Sequence, residues 1–269
     1  MAEEWLKATT RPLKPVRVDS SVPNVARVWN YLLGGLDNFE SDRRTAKQLL
    51  AAAPVMAQVA TASRGFLKRT VTYLAAEAGI RQFLDIGTGI PAAGNTHEVA
   101  QAVDPTCRVV YVDNDPVVLS HARAGLRSAP GGVTSYLDAD ARDTEAVIAG
   151  ARDTLDFARP VGVIMIDILN FIEDAAAVLD RLVAALPAGS YLVIMQPDRD
   201  EQLVTAARRW NQTAALPVFL RDRDEVAQWL GGLELVSPGL VELHRWRPAP
   251  DDPYYPDGLP LLGAVARKP

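Results

Sequence analysis

Short apolar runs alternate along this chain with stretches in which apolar residues recur every three or four positions. The runs at 82–86, 108–112, 161–166 and 191–195 are mostly apolar and read as strands, with 133–137 a shorter apolar patch of the same kind. The helical stretches are 117–126 after Asp115-Pro116, 144–149 after Asp143, 175–186 after Asp174, then 200–213 and 223–230. Continuous apolar strands separated by helices predict a parallel sheet covered on both faces. The end of the chain breaks the alternation. Residues 233–236 and 261–266 read as strands with no helix between them, which suits antiparallel pairing at a sheet edge. The intervening 247–260 contains five prolines and reads as a loop.

Ahead of the first strand the pattern is helical throughout. Pro23 suits a first helical turn, with cap-type Ser20 and Ser21 before it, and 25–33 has helical spacing up to the stop at Gly34-Gly35. A second helix is expected from Ser41 to about Ala52, and a third over 55–78 with Gly79 as its stop. The expected organisation is a lead-in at 1–20, a helical cap at 21–79 and an α/β domain at 80–269.

The sharpest local feature is Asp85-Ile86-Gly87-Thr88-Gly89, directly after the first strand. In doubly wound sheets, ligands bind at the carboxyl ends of the strands, and glycines there let the backbone come close. Gly87-x-Gly89-x-x-Ala92 also fits a dinucleotide fingerprint formally. Pyrophosphate, however, wants a helix that starts within the loop. Pro91 and Gly94 delay the helix here to about Asn95 or Thr96. S-adenosylmethionine has no phosphate and needs no early helix; it offers a sulfonium, an ammonium and a carboxylate. Asp85 is placed to face a cationic group. Asp113, with Asn114 beside it at the second strand's end, can accept from ribose hydroxyls in either kind of site. Asp140 could accept from an adenine amino group, with the Ala141 N–H near the ring edge. Asp115, Asp143 and Asp174 read as helix caps.

Composition narrows the function class. The 269 residues are 48% hydrophobic and 23% charged, an ordinary globular balance with material for a sizeable core. The net charge of −5 disfavours nucleic acid as a bulk partner, because phosphate binding needs a basic face. A single cysteine, Cys107, excludes an intrachain disulfide and any multi-cysteine metal site, and three histidines argue against a His-rich one. No metal site is expected. No window approaches the roughly 20 apolar residues of a membrane-spanning helix. With no secretory signal pattern at the start, the expectation is a cytoplasmic protein that does not engage membrane.

At these residues the sequence resembles a family of S-adenosylmethionine-dependent methyltransferases of largely unassigned substrate. The resemblance runs from about Val22 to Lys268. It is carried by 23–39, which includes Trp29-Asn30-Tyr31 and Gly34-Gly35-Leu36-Asp37, and by Phe83-Leu84-Asp85-Ile86-Gly87-Thr88-Gly89. Gly94-Asn95-Thr96-His97-Glu98-Val99-Ala100 and Val110-Tyr111-Val112-Asp113-Asn114-Asp115-Pro116 complete it. It implies a class I methyltransferase, Rossmann-like α/β fold: a mostly parallel seven-stranded sheet, its last strand antiparallel, with helices on both faces and an N-terminal helical cap. It implies S-adenosyl-L-methionine as cofactor, held by Asp85, Gly87, Thr88, Gly89, Asp113, Asn114, Asp140 and Ala141. It also makes Tyr31, Gly34 and Asp37 candidates for a lid or substrate wall. The chain departs from the family pattern at Trp29-Asn30, where Tyr-Asp is usual, and at Leu36, where Lys is usual. Ile168-Leu169-Asn170-Phe171 replaces a Val-Leu-His-Phe run, so Asn170 stands where an imidazole is usual.

Methyl transfer requires mainly proximity and alignment, and a base only if the nucleophile must lose a proton. The candidates near that chemistry are Asp167, Asn170 and His97, with Arg64 for an acidic substrate or the cofactor carboxylate. His121 reads as a helix-surface residue. Trp246, Tyr254 and Tyr255 could wall a substrate pocket. The expected function is methylation of a small-molecule acceptor. The altered 168–171 segment motivates a rival, a non-catalytic cofactor-binding or regulatory protein on the same fold. A NAD(P)-dependent oxidoreductase is the second rival, although no tyrosine is followed four residues later by lysine.

Overall fold

In a computed structural model of the chain, eight strands form one mixed sheet in the order β3-β2-β1-β4-β5-β8-β6, with β7 pairing on β8. The described residues are 18–125, 127–250, 252, 255 and 258–269. Most of the expected lead-in, and Tyr254, lie outside them.

The strands are β1 (Gln82–Ile86), β2 (Arg108–Asp113), β3 (Val133–Asp138), β4 (Gly162–Met165), β5 (Tyr191–Pro197), β6 (Glu234–Leu235), β7 (Val241–Glu242) and β8 (Leu261–Arg267). The first five are parallel, and β8 runs antiparallel against β5, β6 and β7. The sheet has one strand more than the expected seven, the two-residue β7; β6, expected over 233–236, is also only two residues long. The added β7 was invisible to hydropathy, because two residues carry no period.

Alternating strand residues feed two separate cores, as the pleat requires. Phe83, Val109, Tyr111, Ile164, Val193 and Met195 pack on one face with α2 (Glu40–Ala52), α3 (Met56–Ala76) and α8 (Glu201–Asn211). Leu84, Ile86, Val110, Val163, Met165 and Ile194 pack on the other with α6 (Thr144–Ala151), α7 (Ala175–Ala185) and α9 (Arg223–Trp229). Burial on both faces explains why these strands read as unbroken apolar runs.

The N-terminal helices match the expected spans with one shift. The first, α1, covers Val25–Leu32, so Pro23 is not in its first turn. Asn24 caps it instead: its side-chain oxygen accepts from the backbone N–H of Ala26 at 2.8 Å. Arg27 and Asp42, both buried, tie α1 to α2 with Nε 2.9 Å from Oδ2, a charge contact rather than an aligned hydrogen bond. The same carboxylate accepts the backbone N–H groups of Asn24 and Phe39 at 2.9 and 2.8 Å. The longest helix, α3, packs on α4 (Thr96–Val103) and on β5 and β8, within the sheet's own core. The remaining helix, α5, covers Pro116–Gly125. Among the described residues, no helix is long and apolar enough to cross a membrane.

Candidate functional site

The carboxyl ends of β1, β2 and β4 meet beneath α1 around a cavity of about 330 Å³. The turn after β1 is built from two glycines in the left-handed region, Gly87 at φ 77° and Gly89 at φ 65°. Gly87 has a second reason to lack a side chain. A Cβ there would lie 2.6 Å from Ile168 Cβ, far inside contact distance. The turn is pinned to β2: Gly87 N–H donates to Val112 O at 2.8 Å, and Gly89 N–H donates to Asp113 Oδ2 at 2.9 Å.

Asp85 sits one residue before the end of β1 and is buried. Thr96 Oγ1 donates to its Oδ2 at 2.5 Å. Desolvation pushes its pKa up to about 6, partly offset by the Thr96 hydrogen bond and the nearby Arg64 charge. Asp113 accepts Gly89 N–H on one oxygen and Asp115 N–H on the other, at 2.9 Å each. Burial raises its pKa as well. Asp167 follows β4 with φ 60°, unusual for a non-glycine residue. Trp29 Nε1 and Ser63 Oγ donate to its two oxygens at 3.1 and 3.2 Å. Burial moves its pKa up to about 7.

Five carboxylates line this one cavity, those of Asp37, Asp85, Asp113, Asp115 and Asp167, with Arg64 as the single cation among the lining residues. Arg64 donates to Ala93 O at 2.9 Å. Burial lowers its pKa, and the charges of Asp85, Tyr111, Glu98 and Asp167 act in the opposite sense. Gly87, Thr88, Gly89 and Asn114 complete the expected set on the wall.

Six expected residues are not on that wall. Asp140 lies at its edge, receiving Asn114 Nδ2 at 3.3 Å, and is held below the usual carboxylate range by its hydrogen bond from Arg142. Ala141 packs against the core beneath α6. Tyr31 packs on the core behind α1, and Gly34, at φ 79°, ends that helix while the neighbouring Gly35 lines the cavity. His97 is buried, with Nδ1 2.8 Å from Tyr111 OH, and burial lowers its pKa. Tyr111 OH also accepts the His97 backbone N–H at 2.8 Å. Asn170 is buried in a 3-10 turn, Leu169–Phe171, behind the cavity.

Two further expectations moved. Trp246 and Tyr255 are core residues rather than pocket walls; Trp246 packs edge-on against Phe66 and Tyr73. His121 Nε2 lies 3.7 Å from Asp37 Oδ1, so it faces the α1–α2 loop. Asp115 caps α5 through Val117 N–H at 2.7 Å, and its other oxygen is buried on the wall without a partner. Trp29 and Ser63 were missed as site residues. Trp29 carried one signal, its departure from the family pattern, and Ser63 carried none.

The start of α4 bears on the ligand class. Glu98 Oε2 accepts the N–H groups of Gly94 and Asn95 at 2.7 and 2.9 Å, and Tyr111 OH takes that of His97. These donors are occupied from within the protein and do not face a pyrophosphate. Among the described residues, no group of three or more His, Cys, Asp or Glu side chains could hold a metal ion.

The sequence profile of the S-adenosyl methyltransferase family matches residues 12–269. The chain belongs to that family. A DUF574 family protein from Streptomyces avermitilis MA-4680 is 39% identical with a TM-score of 0.89, covering 94% of this chain and 100% of that one. A candidate methyltransferase from Thermobifida fusca YX is 37% identical with a TM-score of 0.86, covering 97% and 99%. Magnesium protoporphyrin IX methyltransferase from Synechocystis PCC 6803, with bound S-adenosylhomocysteine, shares the fold at 13% identity and a TM-score of 0.53, covering 86% and 95%. No curated protein matches the chain. The fold is the Rossmann-like methyltransferase fold, and the cofactor of the family is S-adenosyl-L-methionine.

Proposed function

We propose that this chain is an S-adenosyl-L-methionine-dependent methyltransferase acting on a small-molecule acceptor. One observation carries the reading: five carboxylates and one guanidinium line a single cavity at the strand ends. Such a wall suits a ligand with two cationic centres and one carboxylate. When bound, S-adenosyl-L-methionine supplies an electrophilic methyl group on a sulfonium.

Each residue then has a task. Asp113 keeps lone pairs free beyond those given to Gly89 and Asp115, and these accept ribose hydroxyls. Asp85 faces a cationic group, and Arg64 takes the carboxylate. Gly87, Thr88 and Gly89 let the backbone approach. Asn114 and Asp140 stand together at the edge where the adenine would lie, with Ala141 following. The lid is α1, through Trp29 and the loop carrying Gly35 and Asp37. Asp167, with a pKa up at about 7, is the wall carboxylate able to hold or release a proton near neutrality. His97 is engaged with Tyr111, and an Asn170 amide does not titrate, so neither competes for that role.

Calorimetric titration with S-adenosyl-L-methionine and S-adenosylhomocysteine tests the reading. Saturable binding is expected, weakened by about 1–3 kcal/mol in Asp113→Ala, the scale of a hydrogen bond lost from a charged group. Absence of binding to the wild type would sink it. Transfer of tritiated methyl to a member of an acceptor panel is the second expectation. Binding with no transfer across the panel would turn the reading to a non-catalytic cofactor-binding protein.

A further inference from the structure

Ser63 holds one hydroxyl proton between two acceptors. Its Oγ lies 3.0 Å from the carbonyl oxygen of Val59, one turn earlier in α3, and 3.2 Å from Asp167 Oδ1. A hydroxyl donates once and accepts through its lone pairs. The two contacts therefore cannot both be donations at one moment. Ser63 is 1% exposed, so bulk solvent does not decide between them.

The other oxygen of Asp167 has no such freedom. Trp29 Nε1 donates to Oδ2 at 3.1 Å, and an indole nitrogen only donates. A proton on Oδ2 directed at the indole would meet another hydrogen. Oδ1 differs, because a hydroxyl faces it: ionised, Oδ1 accepts from Ser63, and protonated, it donates to Ser63. The Val59 carbonyl makes this reversal cheap. It has two lone pairs, and inside a helix it keeps the N–H four residues on, whichever way the Ser63 hydroxyl points.

Two states follow. With Asp167 ionised, Ser63 O–H donates to Oδ1, and Val59 O keeps its helical bond alone. With Asp167 protonated, Oδ1–H donates to Ser63 Oγ, and Ser63 O–H turns to Val59 O. Only hydrogens need to move between them. Burial raises the Asp167 pKa to about 7, so both states are populated near neutrality. The charged neighbours are Arg64, next in α3, which favours the ionised form, and Asp85 at the end of β1, which shares the field of that guanidinium. From α1 the contact is the neutral indole of Trp29.

We propose that Ser63 is a positioning residue for Asp167: its hydrogen bond reverses direction with the state of the carboxyl, so α3 keeps that group aligned while it takes up and gives back a proton. The proposal rests on the methyltransferase reading only for the source of the proton, an acceptor whose nucleophile arrives as O–H or N–H. The reversal itself belongs to the ligand-free protein.

The test is an NMR titration of the ligand-free full chain from pH 5 to 9. It follows the carboxyl carbons of Asp167 and Asp85 and the carbonyl carbon of Val59. The Val59 signal should move with the midpoint of Asp167, not with that of Asp85 near 6, and upfield as pH rises and its second hydrogen bond is lost. In Ser63→Ala the Val59 signal should stay flat. The Asp167 midpoint should rise there by about one pH unit, a tenfold gain in proton affinity, because the bond lost from the ionised state is the stronger one. A Val59 signal in the wild type that ignores the Asp167 titration would overturn the proposal even if the variant does not fold. So would an unchanged Asp167 midpoint in a folded Ser63→Ala. Neither result touches cofactor binding, and failure of S-adenosyl-L-methionine to bind would count against the methyltransferase reading while leaving the reversal to be judged by this titration.

Discussion

Asp167 adopts φ 60°, a conformation that costs a non-glycine residue about 1–3 kcal/mol. It persists because Trp29, Ser63 and the end of β4 hold the carboxylate where it is. Burial raises its pKa to about 7, and that of Asp85 to about 6, against about 3.9 in an unfolded chain. The sign follows from proton counting. Between about pH 4 and 7 the folded state holds protons that the unfolded state has lost, so this contribution to stability is full below pH 4 and gone above pH 7. Asp167→Asn, which keeps one acceptor oxygen, should therefore gain stability relative to wild type at pH 8 but not at pH 5. Urea unfolding of the ligand-free protein at the two pH values checks it; an equal change at both would defeat the titration argument. Gly87 is constrained differently. An alanine there meets both φ 77° and the side chain of Ile168, so Gly87→Ala should cost about 1–3 kcal/mol and weaken S-adenosylhomocysteine binding, read by melting and calorimetry. Wild-type affinity in that variant would mean that the turn shifts freely.

At the scale of elements, the placement of α1 depends on a buried charge. Asp42→Ala removes the partner of Arg27 and the acceptor for the N–H groups of Asn24 and Phe39 together. Breaking such a pair from one side costs about 3–5 kcal/mol, because a buried charge is left uncompensated. The expected result is a lower urea midpoint, with Asp42→Asn intermediate since it keeps an acceptor oxygen. A loss below 1 kcal/mol would mean that α1 and α2 hold together by apolar packing. The strands behind α1 were legible in the sequence because both of their faces are buried, which makes hydropathy continuous over 82–86 and 191–195. The acidic strand ends were legible for a related reason: a carboxylate that closes an apolar run has to sit at the ligand edge of the sheet. The α1 boundary was not, because a side-chain cap at Asn24 competed with a proline cue one residue earlier. Trp29 and Ser63 were not legible as site residues, since they reach Asp167 across 138 and 104 positions and no local pattern encodes such contacts. The roles of Asn170 and His97 depend on packing depth, which spacing does not report.

At the scale of the whole molecule, the cavity joins parts of the chain that are far apart in sequence: α1, α3, the ends of β1, β2 and β4, and Leu216 beyond α8. A ligand that binds only this assembled state stabilises all of it, by about 2.7 kcal/mol at a hundredfold excess over Kd. Its charge should also be felt by the wall. A cation placed among the five carboxylates favours their ionised forms and pulls the raised pKa values of Asp85 and Asp167 back down. At pH 6, where Asp167 is mostly and Asp85 about half protonated in the ligand-free protein, binding should therefore release protons to the buffer. S-adenosyl-L-methionine carries a sulfonium that S-adenosylhomocysteine lacks, so it should release more of them. Calorimetry at pH 6 in two buffers of different ionisation enthalpy gives the proton count for each ligand. At pH 8 both carboxyls are already ionised and the difference between the ligands should vanish. Equal counts at pH 6 would mean that the sulfonium lies away from Asp85 and Asp167, and that the cavity's charge serves the amino acid end of the cofactor instead.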